Sequence, residues 1–360
     1  MKNKLLTISF LLAVACSSKE EIAPTPSTEL YFPTNTTWES VTPASLGWDE
    51  SKIPDLKNFL ATTDSRALIV LKNGKIVIEE YLGKQFDGTS NFSATSNWYW
   101  ASAGKTLTSA AVGIAQGLGK ISLEAKTSDY LGVGWSSLSP VQEGKITVRH
   151  QLTMTTGLED GNPTKDCTDK VCLTYKADAG TRWAYHNAPY TLLDKVVSNG
   201  TGQTLNAFLK EQILAKTGMD GQFIVTGENN VYYSTARSMA RFGLLLLNKG
   251  KWEINQIIPE QYFTAMTNTS QNLNLSYGYL TWLNGKASSM VPGLQTVFNG
   301  KIAPNAPDDM FAAMGKNGQI ISVVPSKGLV VVRIGDVPDS SAVPFTFQND
   351  LWLKLNAVVK

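Results

Sequence analysis

Residues 98–111 read WYWASAGKTLTSAA and place Ser102 and Lys105 three positions apart, at the start of an alanine-rich segment. The apolar spacing of residues 102–118 predicts a buried helix whose amino-terminal end lies near Ser102. Residues three apart share a helix face, so the Lys105 amine can reach the Ser102 hydroxyl and take its proton. The pKa of Lys105 must then fall from about 10.4, through burial beside a second cation. An isolated Ser-x-x-Lys also occurs as a capping serine with a solvated lysine.

The composition is that of an ordinary globular protein with a large core. The chain has 360 residues, of which 42% are hydrophobic and 17% are charged. Its formal net charge is +2, and no basic tract is interleaved with aromatic residues, so we expect no nucleic-acid partner. A small molecule or a peptide is the expected partner.

The amino terminus has the form of an export signal, in which the basic start MKNK precedes an apolar stretch over residues 5–15. This stretch is too short for a mature transmembrane helix. The sequence AVAC, which ends at Cys16, resembles a bacterial lipobox and predicts a signal peptide over residues 1–15 with a lipid anchor on Cys16. Ala13 stands where leucine is commoner, so ordinary signal cleavage remains an alternative. We expect a lipoprotein of the bacterial outer membrane, facing the periplasm or the cell surface.

Two other cysteines, Cys167 and Cys172, are separated by four residues, and this spacing in an exported chain predicts a loop disulfide. The two histidines, His150 and His186, belong to no zinc-binding pattern. We therefore expect neither a metal nor a cofactor.

The pattern along the chain predicts a sheet with strands from both ends. Residues 16–48 are rich in Ser, Thr, Pro and Glu, which favours a flexible tether. Residues 67–71 and 76–81 are β-rich and flank Asn73-Gly74, which indicates a hairpin. Further strands are predicted over 311–315, 319–325 and 328–335, with a closing helix over 345–358.

Helical segments alternate with Gly- and Asn-rich loops between about residues 120 and 300, at 147–155, 187–198, 205–215 and 234–248. They predict a mostly helical insertion. An α/β domain with a helical subdomain would leave a cleft between the two parts.

Two further motifs follow the Ser-x-x-Lys motif, namely Tyr185-His186-Asn187 and, at a predicted strand start, Lys316-Asn317-Gly318. In this order the three motifs resemble those of the penicillin-recognising serine hydrolases, the superfamily of serine β-lactamases, DD-peptidases and class C-like esterases and amide hydrolases. The resemblance covers roughly residues 60–355, and its class C branch is supported by residues 151–158, 234–247 and 277–279.

The resemblance implies an α/β (α+β) fold in which a β-lactamase-like antiparallel sheet is flanked by helices and carries an inserted, mostly helical subdomain. The hydrolase domain would span residues 49–360. Ser102 would be the nucleophile, and Lys105 and Tyr185 would share the proton relay. The charges of Lys105 and Lys316 would bring the phenol pKa of Tyr185 down from about 10.

Substrate contacts are implied for the remaining motif residues. Asn187 would hold a lysine or a substrate amide, and the backbone N–H groups of Ser102 and Gln319 would form the oxyanion hole. Gly318 would leave room for substrate along the strand. Asn317 stands where threonine or serine is commonest in the lactamases, so efficient antibiotic hydrolysis is not expected.

Each motif residue also has a purely structural interpretation. Tyr185 could pack in the core, Asn187 could cap a helix and Lys316 could be a turn cation. His186 has no evident carboxylate partner and is expected to neighbour the site, while His150 is expected to be structural.

The sequence therefore predicts an exported serine hydrolase that acts through an acyl-enzyme on a small ester, amide or peptide-like substrate. It resembles the esterases and 6-aminohexanoate-dimer hydrolases as much as the lactamases. The alternatives are a penicillin-binding sensor or DD-peptidase-like protein that acylates without efficient turnover, and a degenerate scaffold that does neither.

Overall fold

The computed structural model describes residues 29–161, 165–336 and 341–359, so the predicted signal peptide and Cys16 lie outside the described residues. The strands, in chain order, are β1 (Ser65–Lys72), β2 (Lys75–Tyr81), β3 (Asn97–Tyr99), β4 (Gln222–Thr226), β5 (Asn229–Thr235), β6 (Lys251–Trp252), β7 (Asn255–Gln256), β8 (Trp282–Leu283), β9 (Ser288–Met290), β10 (Val297–Asn299), β11 (Phe311–Gly315), β12 (Gln319–Val324) and β13 (Leu329–Gly335).

The helices are α1 (Ile53–Thr62), α2 (Gly104–Gly117), α3 (Ser128–Leu131), α4 (Pro140–Glu143), α5 (Val148–Leu152), α6 (Asn187–Thr191), α7 (Leu193–Thr201), α8 (Leu205–Leu209), α9 (Ala215–Thr217), α10 (Ala236–Leu247), α11 (Glu260–Met266) and α12 (Phe345–Val358). A π-helical turn over Lys210–Leu214 joins α8 to α9. In the described part of the chain, none of the helices has both the length and the apolar content needed to cross a bilayer.

A six-stranded antiparallel sheet with the order β2-β1-β13-β12-β11-β8 forms the centre of the fold. The predicted hairpin is confirmed, since Asn73 and Gly74 connect β1 to β2 with φ angles of 48° and 85°. Two positive φ angles are what a tight two-residue hairpin turn requires. The sheet contains strands from both ends of the chain, as predicted.

Helices cover both faces of this sheet, because successive side chains of a strand point to opposite faces. Leu68 and Val70 pack with α1 and α12, whereas Ile69 and Leu71 pack with α2 and α10. All four side chains are fully buried. Helix α2, which follows Ser102, is thus embedded in the larger of two apolar layers.

Residues 30–48 pack against the edge of the sheet, so the prediction of a flexible tether up to residue 48 is wrong for this part. The Tyr31 N–H donates to the Asn73 carbonyl over 2.9 Å, and the Trp38 indole N–H donates to the Gly74 carbonyl over 2.8 Å. Leu30, Phe32 and Trp38 add apolar contacts with the core. The polar composition of the segment obscured these few apolar anchors.

The inserted segment also contains hairpins that the sequence pattern did not predict. A small sheet of order β3-β5-β4 brings residues 97–99, just before the nucleophile, against residues 229–235. The helix predicted over 234–248 begins at Ala236, because the Thr235 side chain accepts from the Ser238 N–H and caps it.

Candidate active site

Ser102 lies in a 3₁₀ turn, Ala101–Ala103, between β3 and α2. Two hydrogen bonds attach the residue before this turn to β5. The Trp100 N–H donates to the Tyr232 carbonyl over 2.8 Å, and the Trp100 indole N–H donates to the Ser234 hydroxyl over 2.7 Å. Ala101 has a φ of 46°, a left-handed conformation that costs a residue with a Cβ about 1 kcal/mol. Strain of this kind persists where the surrounding structure enforces it, and it is common at functional sites.

Lys105 lies in the first turn of α2, and its Nζ atom is 3.0 Å from the Ser102 Oγ atom. The side chain is buried, with the amine 4.1 Å from the centre of the Tyr190 ring. Burial lowers the pKa of Lys105 to about 7, and the Asp166 carboxylate partly opposes this shift. The sequence led us to expect a second cation, but desolvation is the main cause of the lower pKa.

Tyr185 is in hydrogen-bonding contact with the Ser102 hydroxyl. Its ring stacks on Trp282 with a centroid distance of 5.7 Å. Burial raises the pKa of Tyr185, with the Ser102 contact opposing the rise. The prediction that Lys105 and Lys316 lower this pKa is therefore wrong, because a largely neutral Lys105 and an exposed Lys316 do not offset the desolvation of a phenolate.

Asn187 is the first residue of α6, and its Nδ2 group donates to the Asp166 Oδ1 atom over 2.6 Å. The sequence implied a lysine or a substrate amide as its partner, and that role stays a prediction beside the contact with Asp166. The loop that carries Asp166 is closed by a disulfide between Cys167 and Cys172. Its backbone is attached to α6, because the Ala188 N–H donates to the Lys165 carbonyl over 3.3 Å.

The two histidines occupy structural positions. His186 hydrogen-bonds with the Lys165 backbone, and burial lowers its pKa to about 4, so the ring is neutral at physiological pH. It neighbours the site without a contact to Ser102. His150 caps α5, where its Nδ1 atom accepts from the Thr147 N–H over 3.1 Å.

Lys316-Asn317-Gly318 forms a turn between β11 and β12 and does not begin a strand as predicted. Lys316 lines the same cavity as Ser102. Asn317 points away from that cavity, and its Nδ2 group donates to the Tyr99 hydroxyl over 2.7 Å and to Asp336 over 3.2 Å. Its φ of 63° belongs to the left-handed region, which asparagine tolerates better than most residues.

Gly318 and Gln319 contact other parts of the sheet and do not line the cavity. A Cβ on Gly318 would lie 2.5 Å from an Nη atom of the buried Arg333, so the glycine makes room for arginine and not for substrate. Arg333 in turn donates to the carbonyls of Asn317 and Gly318. The buried Gln319 side chain bonds with the Gly335 backbone, and Gln319 pairs with Gly315 inside the hairpin. The predicted oxyanion role of Gln319 is therefore not supported.

Gly315, which the sequence analysis passed over, brings the end of β11 against the nucleophile turn. A Cβ on this residue would lie 2.9 Å from the Ser102 nitrogen and 2.5 Å from the Trp100 carbonyl oxygen. The next peptide N–H after Gly315 is that of Lys316. Ser102 and Lys316 both line the cavity.

Ser102 opens into a cavity of about 510 Å³ with a mixed polar lining. One wall carries Asp160, which is paired with Arg182 over 2.7 Å. Among the described residues, no group of three His, Cys, Asp or Glu side chains is arranged to hold a metal ion. The other lining residues are Ala101, Lys105, Lys165, Asp166, Tyr185, Asn187, Tyr190, Thr226, Asn229, Asn230, Val231, Pro292, Gly293, Lys316 and Ala342.

Fold and site together define a member of the penicillin-recognising serine hydrolase superfamily: a Ser-x-x-Lys pair and a tyrosine meet beside an antiparallel sheet. The chain belongs to the Beta-lactamase family, whose model matches residues 58–336. It has no significant match among curated protein sequences.

Solved structures share this fold over most of the chain. A putative β-lactamase from Bacteroides dorei DSM 17855 has a TM-score of 0.66 and 16% identity, covering 87% of this chain and 99% of its own. A putative 6-aminohexanoate-dimer hydrolase from Bacillus anthracis has a TM-score of 0.65 and 18% identity, and the match covers 89% of this chain and 87% of that hydrolase. A penicillin-binding protein from Bacillus halodurans has a TM-score of 0.60 and 16% identity, and the match covers 85% of this chain and 98% of that protein.

Proposed function

We propose that this protein is a serine hydrolase in which Ser102 forms an acyl-enzyme with a small ester, amide or peptide-like substrate. The observation that supports this proposal best is the meeting of three groups in one cavity. Ser102 Oγ has the Lys105 amine at 3.0 Å and the Tyr185 hydroxyl in hydrogen-bonding contact. A nucleophile flanked by a base and by a second proton carrier is the arrangement that acyl transfer requires.

Acylation begins with Lys105 as the base. Above a pH of about 7 its amine is neutral, so its lone pair accepts the Ser102 proton while Oγ bonds to the substrate carbonyl carbon. The negative charge that develops on the carbonyl oxygen is stabilised by backbone N–H groups, for which we assign Ser102 and Lys316. This assignment replaces Gln319.

The leaving group departs with a proton from Tyr185. Because burial raises its pKa, the phenol is protonated and acts as an acid toward the leaving oxygen or nitrogen. The Lys105 ammonium, 5.2 Å from the centre of the Tyr185 ring, then replaces the lost proton and becomes neutral again. In deacylation, Lys105 takes a proton from the attacking water and returns it to Ser102 Oγ as the ester bond breaks.

Turnover and adduct formation test this proposal. The purified protein is incubated with nitrocefin, p-nitrophenyl butyrate and a peptide ending in D-Ala-D-Ala, while product and intact protein mass are followed. We expect multiple turnovers that Ser102→Ala abolishes and that Ser122→Ala, at an exposed serine after α2, leaves unchanged. A stable Ser102 adduct without turnover would instead support the penicillin-binding sensor or DD-peptidase-like alternative. The absence of both would contradict the proposal and leave the degenerate scaffold.

We also infer that the protein is exported and anchored by a lipid on Cys16, in the outer membrane of a bacterium. The support is the amino-terminal sequence alone, in which an apolar stretch ends at AVAC. Mass spectrometry of the mature amino terminus should find a diacylated Cys16. Cleavage at another residue, or an unmodified cysteine, would contradict this inference.

A further inference from the structure

Asp166 places a carboxylate in the active-site cavity without a cationic partner. The other acidic side chain of the cavity, Asp160, is neutralised by Arg182. Among the described residues, Asp166 takes part in no ion pair, and its hydrogen bond is with the neutral amide of Asn187. A carboxylate in this position attracts a cation from the ligand, because no ion pair neutralises it.

Asn187 holds the Asp166 carboxylate in position. One N–H of its Nδ2 group donates to the Asp166 Oδ1 atom over 2.6 Å, and its carbonyl oxygen is an acceptor. That oxygen is buried and has no partner among the described residues. The acceptor that the wall formed by Asp166 and Asn187 offers to a ligand is therefore the Asp166 carboxylate, which lines the cavity.

The lysines that line the cavity do not cancel the Asp166 charge. Lys105 is largely neutral above a pH of about 7, because its amine is buried. Lys165 and Lys316 are exposed to solvent. Among the described residues, neither lysine forms an ion pair with the Asp166 carboxylate. Water and salt screen such exposed charges.

The chain around Asp166 is attached on both sides by a disulfide and by a hydrogen bond to α6. The disulfide between Cys167 and Cys172 closes the loop immediately after Asp166. The Lys165 carbonyl accepts from the Ala188 N–H and also contacts the His186 ring. A preorganised acceptor loses less conformational entropy on binding, so it contributes more to selectivity.

We propose that Asp166, held in position by Asn187, selects substrates that carry a protonated amine in the acyl group. This inference rests on the proposed serine hydrolase activity and names the substrate class of the same site. The ligand ammonium bonds with the Asp166 carboxylate, while Ser102 attacks the carbonyl of the same acyl group. The carboxylate selects for the amine, and acyl groups with a methyl group in its place bind less well.

Matched substrate pairs test this inference. The p-nitroanilides of glycine, 4-aminobutyrate and 6-aminohexanoate are compared with those of propionate, pentanoate and heptanoate, in which a methyl group replaces the ammonium group. For at least one pair we expect kcat/KM to favour the amine by about tenfold or more, the size of one charge-assisted hydrogen bond. Asp166→Asn should bring that ratio close to one, because the amine partner should lose much more of its kcat/KM than the methyl partner does.

Asp169→Asn is the matched control, because it removes the same charge from an exposed position of the same loop. It should leave the ratio as in the unmodified protein. Equal losses for both members of a pair in Asp166→Asn would indicate a purely structural role and overturn the inference. Equal rates for amine and methyl substrates in the unmodified protein would do the same.

Binding without chemistry separates this inference from the proposed function. Calorimetric titration of the Ser102→Ala protein with the same anilides should show the amine preference even when no turnover is possible. A preference in binding combined with no Ser102-dependent turnover would support the ammonium site and contradict the hydrolase. Turnover with no amine preference in rate or binding would support the hydrolase and contradict the ammonium site.

Discussion

The backbone of Gly315 lies against the backbone of Ser102, so closely that a methyl group on Gly315 would stand 2.9 Å from the Ser102 nitrogen. This approach joins the last residue of β11 to the turn that carries the nucleophile. Lys316 follows Gly315 in the chain and lines the same cavity as Ser102. The oxyanion hole that we assign depends on this contact between two distant parts of the chain.

Gly315→Ala should therefore lower kcat by about 100-fold or more, the usual result of losing one oxyanion donor. The added methyl group must push β11 and the Ser102 turn apart. Gly104→Ala is the control, because its Cβ would meet the Phe223 ring at an ordinary 3.4 Å and no backbone atom more closely. It should keep most of the activity. Equal activity in the two variants, measured with one ester substrate, would contradict the assignment.

The pH dependence of kcat/KM should report the protonation of Lys105. The amine must be neutral to accept the Ser102 proton, and burial lowers its pKa to about 7, so activity should rise as pH increases through about 7. Asp166 favours the ammonium form of Lys105, so Asp166→Asn should move this rise to lower pH, whereas the exposed Asp169→Asn should not. A rise centred near pH 10, where an exposed lysine titrates, would contradict this role of Lys105.

Tyr185→Phe should lower kcat by a different factor for substrates with different leaving groups. The raised pKa of Tyr185 makes it a proton donor, and an amine leaving group needs that proton far more than p-nitrophenolate does. We expect kcat for an anilide to fall by about 100-fold or more, as for the loss of a general acid. The p-nitrophenyl ester should be affected much less. Equal losses for the two substrates would indicate that Tyr185 has another role.

Arg333 should be required for stability as well as for the shape of the site. It is fully buried beneath the Lys316 turn and donates to the carbonyls of Thr63, Asn317 and Asp336. Arg333→Met leaves these carbonyls without their donor, so the free energy of unfolding should fall by about 3 kcal/mol or more in urea denaturation. Arg333→Lys should recover only part of this loss, because an ammonium cannot reproduce the planar guanidinium contacts.

A control arginine tests whether burial explains that result. Arg149 is 37% exposed and pairs with an exposed Glu124, so Arg149→Met should change the free energy of unfolding by about 1 kcal/mol or less. A similar loss in the two methionine variants would contradict the assignment to buried carbonyls. Retained stability in Arg333→Met would contradict it as well.

Local patterns predicted the elements that depend on neighbouring residues. The Asn73-Gly74 turn lies between two β-rich runs, and the structure has the hairpin there. The Ser102 to Lys105 spacing predicted an amine within reach of a hydroxyl, and the two atoms are 3.0 Å apart. The closing helix over 345–358 also has its predicted bounds. In each case the relevant contacts lie within a few residues along the chain.

Lys316-Asn317-Gly318 shows where the local pattern was insufficient. A lysine followed by Asn-Gly at the edge of an apolar run suggested a strand start with a substrate-facing lysine. The structure instead uses Asn317 and Gly318 to turn the chain above Arg333, a residue that joins the turn only through the sheet. Its contribution could not be predicted from the neighbours of the motif.

The amino-acid sequence by itself determined the fold class, the first hairpin, the last strands and closing helix, and the pairing of Ser102 with Lys105, because periodicity, turn chemistry and helical spacing act over short distances. Tertiary structure alone decided which groups surround that pair. It buried Lys105, placed Tyr185 among aromatic rings, brought Gly315 against Ser102 and set Asp166 on the cavity wall. Burial and electrostatic surroundings are set by residues far apart in the chain, which meet only when the sheet and the insertion pack together.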